Sequence, residues 1–357
     1  MRTVTINSGK KKPNNRLILL GNGFDLSHGL KTSYSDFIEW YLNKVKEIFD
    51  KEDYFEDKLI ELRSVDSLLN IEDYSSPYGQ LYDSNNIFEK HLKLDVIPTF
   101  KNKLWSKILN TLDVIKWVDI EQLYYDEYKL LVKKSSSLVD SNEIIDDLIE
   151  LNLNLKDISS ELKTYLCDNI KMESSNFIPE FKKLIYSKEP KLILNFNYTN
   201  TVNSYLENYD FPPNKDIVIP LHGNINDDHY PLVFGFGDER DQMYQQIEDL
   251  NDNRLMDHFK SFAYFRNQNY SRLLSFIDSE PFEVHTIGLS CGLSDRTLLS
   301  QIFEHENCQK IHIQYYKDEN GYQDVARNIS RHFSDKQELR RKLVNFEGCE
   351  ECPQISK

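Results

Sequence analysis

Five short apolar runs along the chain have the length and composition of buried β-strands. They are rich in Leu, Ile and Val, and most lack the strict alternation of apolar and polar residues that marks a strand with one face in water. The runs are RLILL (16–20), KLILNF (191–196), DIVIPLH (216–222), FEVHTIGL (282–289) and KIHIQYY (310–316). Strands covered on both faces are typical of parallel sheets, so the pattern predicts an α/β fold.

The segments between these runs have a helical pattern. Apolar residues recur at helical spacing from Phe37 to Ile48, and Ser33 with Asp36 forms a capping-box pattern just before them. A second helical stretch lies between the third and fourth runs. The predicted organisation is a discontinuous Rossmann-like core (1–34 and 190–335), a large helical insertion after the first strand (35–189), a smaller one after the third (236–281), and a C-terminal helix and tail (336–357).

Composition narrows the class of partner. The net charge of −15 opposes binding to DNA or RNA, which needs clustered Lys and Arg, so we expect no nucleic-acid partner. No apolar run approaches the roughly 20 residues that span a membrane. The opening MRTVTINSGK also lacks the apolar stretch of a signal peptide. We therefore expect a cytoplasmic protein without a membrane partner.

The cysteines and histidines predict no metal site. Cys349 and Cys352 form a single C-x-x-C, whereas a closed structural zinc site needs four ligands, so reduced surface thiols are expected. No histidine has the spacing of an H-E-x-x-H motif.

The first run leads directly into Gly21-Asn22-Gly23. Two glycines allow a sharp turn and let backbone N–H groups face an anion at a helix N-terminus, but ordinary strand-to-helix turns use the same residues. Leu26 occupies the last glycine position of a G-x-G-x-x-G motif, and no second strand with an acidic residue follows about twenty residues later. A hydride-transferring dehydrogenase is therefore disfavoured.

Amide side chains mark the end of the second run. Burying an amide costs free energy unless it is fully hydrogen-bonded, so Asn195 and Asn197 after an apolar strand indicate a polar cleft. Alternatively, these amides satisfy the turn backbone, or Asn197 or Thr199 caps the next helix.

The third and fourth runs end in the same manner. His222, followed by Gly223, titrates near neutrality and is a candidate general base, although a lone histidine is more often structural. Gly288 and Ser290 form a small-residue turn, and Asp295 either faces the ligand or caps the following helix. The carboxyl ends of parallel strands share one edge of the sheet, so all four ends predict one ligand site.

Five motifs, in order, resemble the bacteriophage abortive-infection AbiH family. They are GNGFDLSHGL, NFNYTNT, LHGN, VFGFGD and IGLSCGLSD, and they extend from Arg16 to the late 290s. The resemblance implies an antiphage protein.

A more distant likeness is to the sirtuins and the SIR2-like fold, which consume NAD. The spacing of Gly21, Gly23 and Gly29, the asparagine at 197, the histidine–glycine pair at 222 and the turn from Gly288 match that pattern. Departures from this pattern are Asn22 in place of a small alanine and Thr199 in place of an acid, and Leu289 stands where the AbiH pattern has a histidine. The sirtuin zinc ribbon is missing, which puts protein deacylation in doubt and leaves NAD hydrolysis as the simpler chemistry.

The resemblance implies that NAD is the substrate and assigns two classes of site residue. Asn197 would orient the ribose and a water molecule, and His222 would act as general base, a role worth about 10²–10⁴ in rate. The implied NAD-binding residues are Gly21, Asn22, Gly23, Phe24, Asp25, Thr199, Gly288, Ser290 and Asp295. The helical insertion would form a lid, an oligomer surface or a surface that senses a phage protein, and a homo-oligomer is plausible.

Two other functions stay open. One is a non-catalytic sensor that binds NAD or an ADP-ribose derivative and signals through its helices. The other is a nuclease-type toxin, which the acidic charge and the absence of a paired-carboxylate metal motif disfavour.

Overall fold

The computed structural model describes residues 15–64, 93–94, 96–115, 119–135, 141–187, 189–207, 217–227 and 229–355. These residues form two compact units. The first unit comprises the described parts of 1–30, 172–233 and 260–357, and the second those of 31–171 and 234–259.

The elements are numbered along the chain. The strands are β1 (Asn15–Leu20), β2 (Tyr54–Glu56), β3 (Ile60–Ser64), β4 (Val96–Phe100), β5 (Lys191–Asn195), β6 (Val218–Pro220), β7 (Phe282–Ile287), β8 (Cys308–Tyr315) and β9 (Glu350–Glu351). The α-helices are α1 (Asn22–Ser27), α2 (Tyr34–Glu52), α3 (Lys103–Ile115), α4 (Ile120–Ser135), α5 (Ser141–Asn169), α6 (Pro179–Ile185), α7 (Thr201–Glu207), α8 (Gln242–Asp249), α9 (Lys260–Ala263), α10 (Asn269–Ser279), α11 (Arg296–Glu304), α12 (Glu319–His332) and α13 (Lys336–Lys342).

The first unit is built on a six-stranded sheet in the order β6-β5-β1-β7-β8-β9. Every neighbouring pair is parallel. Counted along the sheet's own strands, this is the Rossmann order 3-2-1-4-5-6. The chain winds outward from β1 in one direction and then returns to β7 on its other side. The carboxyl ends of β1 and β7 therefore form the topological switch point, where ligands bind in open α/β sheets.

Alternation along β1 divides the apolar core between the two faces of the sheet. Leu17 and Leu19 join one buried cluster, which includes side chains of α10, α11 and α12. Ile18 and Leu20 join the other cluster, with side chains of α1, α6 and α7. The sheet is thus covered on both faces around β1, which explains why this strand is apolar from Leu17 to Leu20.

The predicted α/β fold with a parallel sheet is confirmed. All five predicted strands are present, with small differences at their ends. No sequence pattern indicates β9, which contains only two glutamates and pairs with the end of β8. The predicted C-terminal helix and tail (336–357) therefore contains α13 and the sixth strand of the sheet.

The second unit is mostly helical, and α2 begins as predicted. The Ser33 side chain accepts a hydrogen bond from the Asp36 amide, and the Asp36 carboxylate accepts one from the Ser33 amide, which completes the capping box. The unit also contains an antiparallel sheet, β2-β3-β4, that the predicted helical insertion (35–189) does not include. Helix α6, predicted within that insertion, belongs to the first unit.

No helix in the described part of the chain is both long enough and apolar enough to cross a membrane.

Candidate functional site

The ends of β1 and β7 touch through their backbones. The Gly21 amide donates to the Ile287 carbonyl oxygen at 3.0 Å, and the Gly23 amide donates to the Gly288 carbonyl oxygen at 2.8 Å. A Cβ atom on Gly288 would lie 2.1 Å from the Phe24 nitrogen, and Gly288 has a φ of +60°. These glycines therefore allow the ends of β1 and β7 to approach each other closely at the switch point.

The same contacts occupy the backbone amides that were predicted from the sequence to face an anion. Those of Gly21 and Gly23 donate across to β7 and its turn, and that of Phe24 donates to the Gly21 carbonyl oxygen. The Phe24 ring is buried in the apolar core. Asn22 and Ser290, by contrast, are exposed. Of the two interpretations of this loop, the backbone geometry supports the tight turn.

Asn195 and Asn197 hold the end of β5. The Asn195 amide group donates to the Thr199 carbonyl oxygen at 3.1 Å, and its side-chain oxygen accepts from the Asn197 amide. Asn195 therefore satisfies the turn backbone, as one sequence interpretation proposed. The Asn197 side chain instead reaches across the sheet edge and donates to the Gly21 carbonyl oxygen at 3.1 Å. The prediction that Asn197 faces the glycine turn agrees with this contact.

A buried carboxyl group lies beside this turn. Asp25 is only 1% exposed, and its Oδ2 accepts a hydrogen bond of 2.5 Å from the Thr199 hydroxyl. Its Oδ1 has no hydrogen-bond partner among the residues that the structure describes. Burial raises the pKa of Asp25 to about 6, although hydrogen bonds from Thr199, Thr201 and Asn197 oppose the rise. A carboxyl group that titrates near neutrality is suited to acid–base chemistry.

The raised pKa predicts an unusual dependence of stability on pH. Between about pH 4 and about pH 6 the folded protein holds a proton on Asp25 that the unfolded chain has lost, so this contribution to the free energy of unfolding falls as the pH rises and then stays constant. The shift from 3.8 to about 6 corresponds to about 3 kcal/mol. Relative to the wild type, Asp25→Asn should therefore gain about that much stability between pH 4 and pH 7.

Denaturant unfolding of both proteins across this pH range measures the difference, and the comparison cancels the contributions of other titrating groups. A difference that stays flat from pH 4 to pH 7 would show that Asp25 has an ordinary pKa.

A second buried polar cluster joins the ends of β6 and β7. The Nε2 atom of His222 lies 2.8 Å from Asp295 Oδ1, and the ammonium of Lys260 donates to the same oxygen at 3.1 Å. The Lys260 side chain is 0% exposed. Asp295 stands at the start of α11, but its carboxylate makes no capping hydrogen bond there. The structure therefore shows no capping role for Asp295, whose carboxylate is directed at His222 and Lys260.

The charges in this cluster balance as one carboxylate and one ammonium. Burial alone would raise the pKa of Asp295, but the charge of the Lys260 ammonium and the hydrogen bonds from His222 and Lys260 hold it well below its usual value. Burial lowers the pKa of His222, and the charge of Lys260 adds to this against the effect of Asp295. The imidazole is therefore neutral at pH 7, with its Nε2 proton directed at Asp295.

The space beside His222 is small. A cavity of about 20 Å³ at the end of β6 is lined in part by Leu221, Gly223, Tyr264 and Asn269. This volume suits a water molecule, whereas ligand pockets have about 300–1,000 Å³. A dinucleotide therefore requires this edge of the sheet to open.

Side chains from distant parts of the sequence thus join β5 to β1 and β6 to the segment after β7 at this edge of the sheet. Comparison with known protein families gives one match, to the model described as bacteriophage abortive infection AbiH, over residues 17–317. The chain belongs to the AbiH family. A comparison with curated proteins gave no significant match.

The matched region of this AbiH protein contains Asn197, His222 and Asp295 as well as the glycine turn. It also contains Lys260, which the sequence analysis did not single out. Lys260 lies in a polar stretch of helical pattern, and no local signal distinguishes it from an exposed lysine. Its role depends on a contact with Asp295, 35 residues further along the chain.

Membership of the family places the chain among proteins of phage abortive infection, which confirms that part of the prediction.

Proposed function

We propose that this AbiH protein binds NAD at the carboxyl edge of its parallel sheet and hydrolyses the nicotinamide–ribose bond, so that NAD loss aborts phage infection. The observation that carries the proposal is the buried carboxyl group of Asp25, with a pKa near 6, beside Asn197 at the switch point between β1 and β7. Perturbed titratable groups cluster at functional sites, and this is the place where open α/β sheets bind ligands.

Hydrolysis of the nicotinamide–ribose bond needs the ribose and a water molecule held in position, together with a base. Departure of nicotinamide develops positive charge on the ribose, as in glycoside hydrolysis. Above about pH 6, the Asp25 carboxylate would stabilise that charge or accept a proton from the attacking water. The Asn197 amide would exchange its contact with Gly21 for a ribose hydroxyl or the water. Since both side chains are buried, NAD binding opens this edge.

His222 is the other candidate base. Its Nε2 atom is taken by Asp295, so Nδ1 would have to accept the proton from water or a ribose hydroxyl, and the ring would first have to give up its hydrogen bond with the Phe196 backbone. The two assignments predict different variants to be inactive: Asp25→Asn if the carboxylate is the base, and His222→Gln if the imidazole is.

The activity is tested on purified protein and in phage-infected cells, because a phage component could be required as a trigger. NAD should be converted to nicotinamide and ADP-ribose, and Asn197→Ala should lower the rate at least about 100-fold while the protein remains folded. Asn169→Ala is the matched control, since Asn169 is exposed near the end of α5 in the second unit and bonds only to its own helix in the contacts described. NAD that stays intact during an abortive infection would contradict the proposal.

One observation favours a second function. His222, Asp295 and Lys260 already satisfy each other in a buried network, as expected for groups that hold a fold and do not react. A sensor would bind NAD or ADP-ribose at the same edge without cleaving it. Unchanged NAD together with a rise in melting temperature on adding NAD would support the sensor, since a ligand that binds the native state stabilises it.

A further inference from the structure

Three side chains with metal-binding atoms share one face of the sheet between β7 and β8. Glu283 and His285 are two residues apart on β7, so they point to the same face. His285 and His312 are direct partners in the parallel register of β7 with β8. The side chains of direct partners on one face lie close together, as they do here.

The cluster is compact. Each of the three side chains offers one ligand atom, and these atoms all lie within 4.8 Å of one another. The two imidazole rings are nearly parallel, with their centroids 4.6 Å apart. His312 Nε2 is 3.6 Å from Glu283 Oε2, which is longer than a hydrogen bond.

The ring nitrogens in this cluster are buried and unsatisfied. Within the described part of the chain, neither His285 Nε2 nor His312 Nε2 has a hydrogen-bond partner. The same holds for the side-chain oxygen of Gln314, two residues after His312 on the same strand. Leaving such a group buried and unpaired is unfavourable, so several of them at one place require an explanation.

Two basic residues flank Glu283 in the sheet, and each has a partner outside the cluster. Arg16 and Lys310 are the register partners of Glu283 on the two adjacent strands. Arg16 forms an ion pair with Glu189 at 3.0 Å, and the Lys310 ammonium donates to the Arg341 carbonyl oxygen at 2.9 Å. In the contacts described, the Glu283 carboxylate is paired with His312.

We propose that Glu283, His285 and His312 bind a divalent transition-metal ion, with zinc as the best fit. Two imidazole nitrogens and one carboxylate are a common zinc ligand set, and a fourth position stays open for water or the Gln314 oxygen. Zinc bonds of about 2.0–2.2 Å require the ligand atoms to approach to about 3.3 Å, which small side-chain rotations from their present spacing achieve. The ion would link β7 to β8.

This proposal is independent of NAD hydrolysis, because the three residues lie within the strands and not at their carboxyl ends. It revises the sequence-based prediction of no metal site. Glu283 and His285 are two residues apart, but His312 can be recognised as the third ligand only when the register of β7 with β8 is known.

The test is a zinc titration of the full chain from which a chelator has first removed bound metal. Calorimetry, or competition with a chromophoric chelator, measures the stoichiometry and affinity of zinc binding. We expect one zinc ion per chain and a higher melting temperature in the presence of zinc. Cobalt in its place should give the strong visible absorption of a four-coordinate site. Loss of one ligand, in His312→Gln or Glu283→Gln, should weaken zinc binding at least about 100-fold.

The matched control is His229→Gln, because His229 lies on the surface, with its side chain 93% exposed. It should bind zinc as the wild type does. Two results would overturn the proposal: no stoichiometric binding to the wild type, or binding that neither His312→Gln nor Glu283→Gln weakens. The second variant keeps the test valid if the first does not fold.

Discussion

The substitution Asp295→Ala is expected to lower the free energy of unfolding of the first unit by about 3–5 kcal/mol. It removes the carboxylate that faces two buried groups, the ammonium of Lys260 and the imidazole of His222. A buried charge that loses its counter-charge retains its full desolvation cost. Amide hydrogen exchange of β1 is the suitable probe, because Trp40 and Trp105 lie in the second unit and their fluorescence reports on that unit.

The control for this prediction is Asp324→Ala. Asp324 pairs with Arg327 on α12, and both side chains are exposed, so its loss should cost less than about 1 kcal/mol. The double variant Asp295→Leu/Lys260→Met removes both charges and should recover most of the stability. If Asp295→Ala costs no more than Asp324→Ala, the buried network does not stabilise the strand ends.

Gly288→Ala is expected to destabilise the first unit by at least about 4 kcal/mol. The new methyl group would lie 2.1 Å from the Phe24 nitrogen and 2.3 Å from the Gly23 carbonyl carbon. These are backbone atoms at the centre of the sheet edge, so they cannot move aside as a flexible side chain would. The φ of +60° at Gly288 adds about 1–2 kcal/mol of strain.

Gly292→Ala provides the comparison for Gly288→Ala. Gly292 has a φ of −68°, and the nearest atoms to an added Cβ lie 3.8 Å and 4.0 Å away. This variant should have the stability of the wild type within about 0.5 kcal/mol. Similar melting temperatures for the two variants would mean that the ends of β1 and β7 are not in direct contact.

The parallel sheet could be predicted because its strands are apolar on both faces. The buried part of β1 needs consecutive apolar residues, since Leu17 and Ile18 face different core clusters. β9 could not be predicted in this way, because its two glutamates are exposed at the edge of the sheet and bury no apolar surface. The strands of the antiparallel sheet β2-β3-β4 are also short. The pairing of β3 with β4 joins segments that are distant in the sequence.

The sequence predicts where in the fold the candidate site lies, but it does not predict which side chains contact each other there. A parallel sheet puts the ends of its strands at one edge, which brings Asn197 to Gly21 and His222 to Asp295. The individual partners depend on register and loop conformation, which the sequence does not encode locally. For this reason the sequence pattern pointed to His222 as the general base, and the raised pKa of Asp25 emerged only when its burial was known.

The central claim is that NAD binds where β1 and β7 end, and a crystal structure of the protein with NAD or ADP-ribose tests it most directly. The account predicts a ligand at the switch point, with its ribose within hydrogen-bonding distance of Asn197 and Asp25, and an edge opened relative to the present structure. A ligand bound elsewhere, or an unchanged edge at saturating NAD, would contradict it.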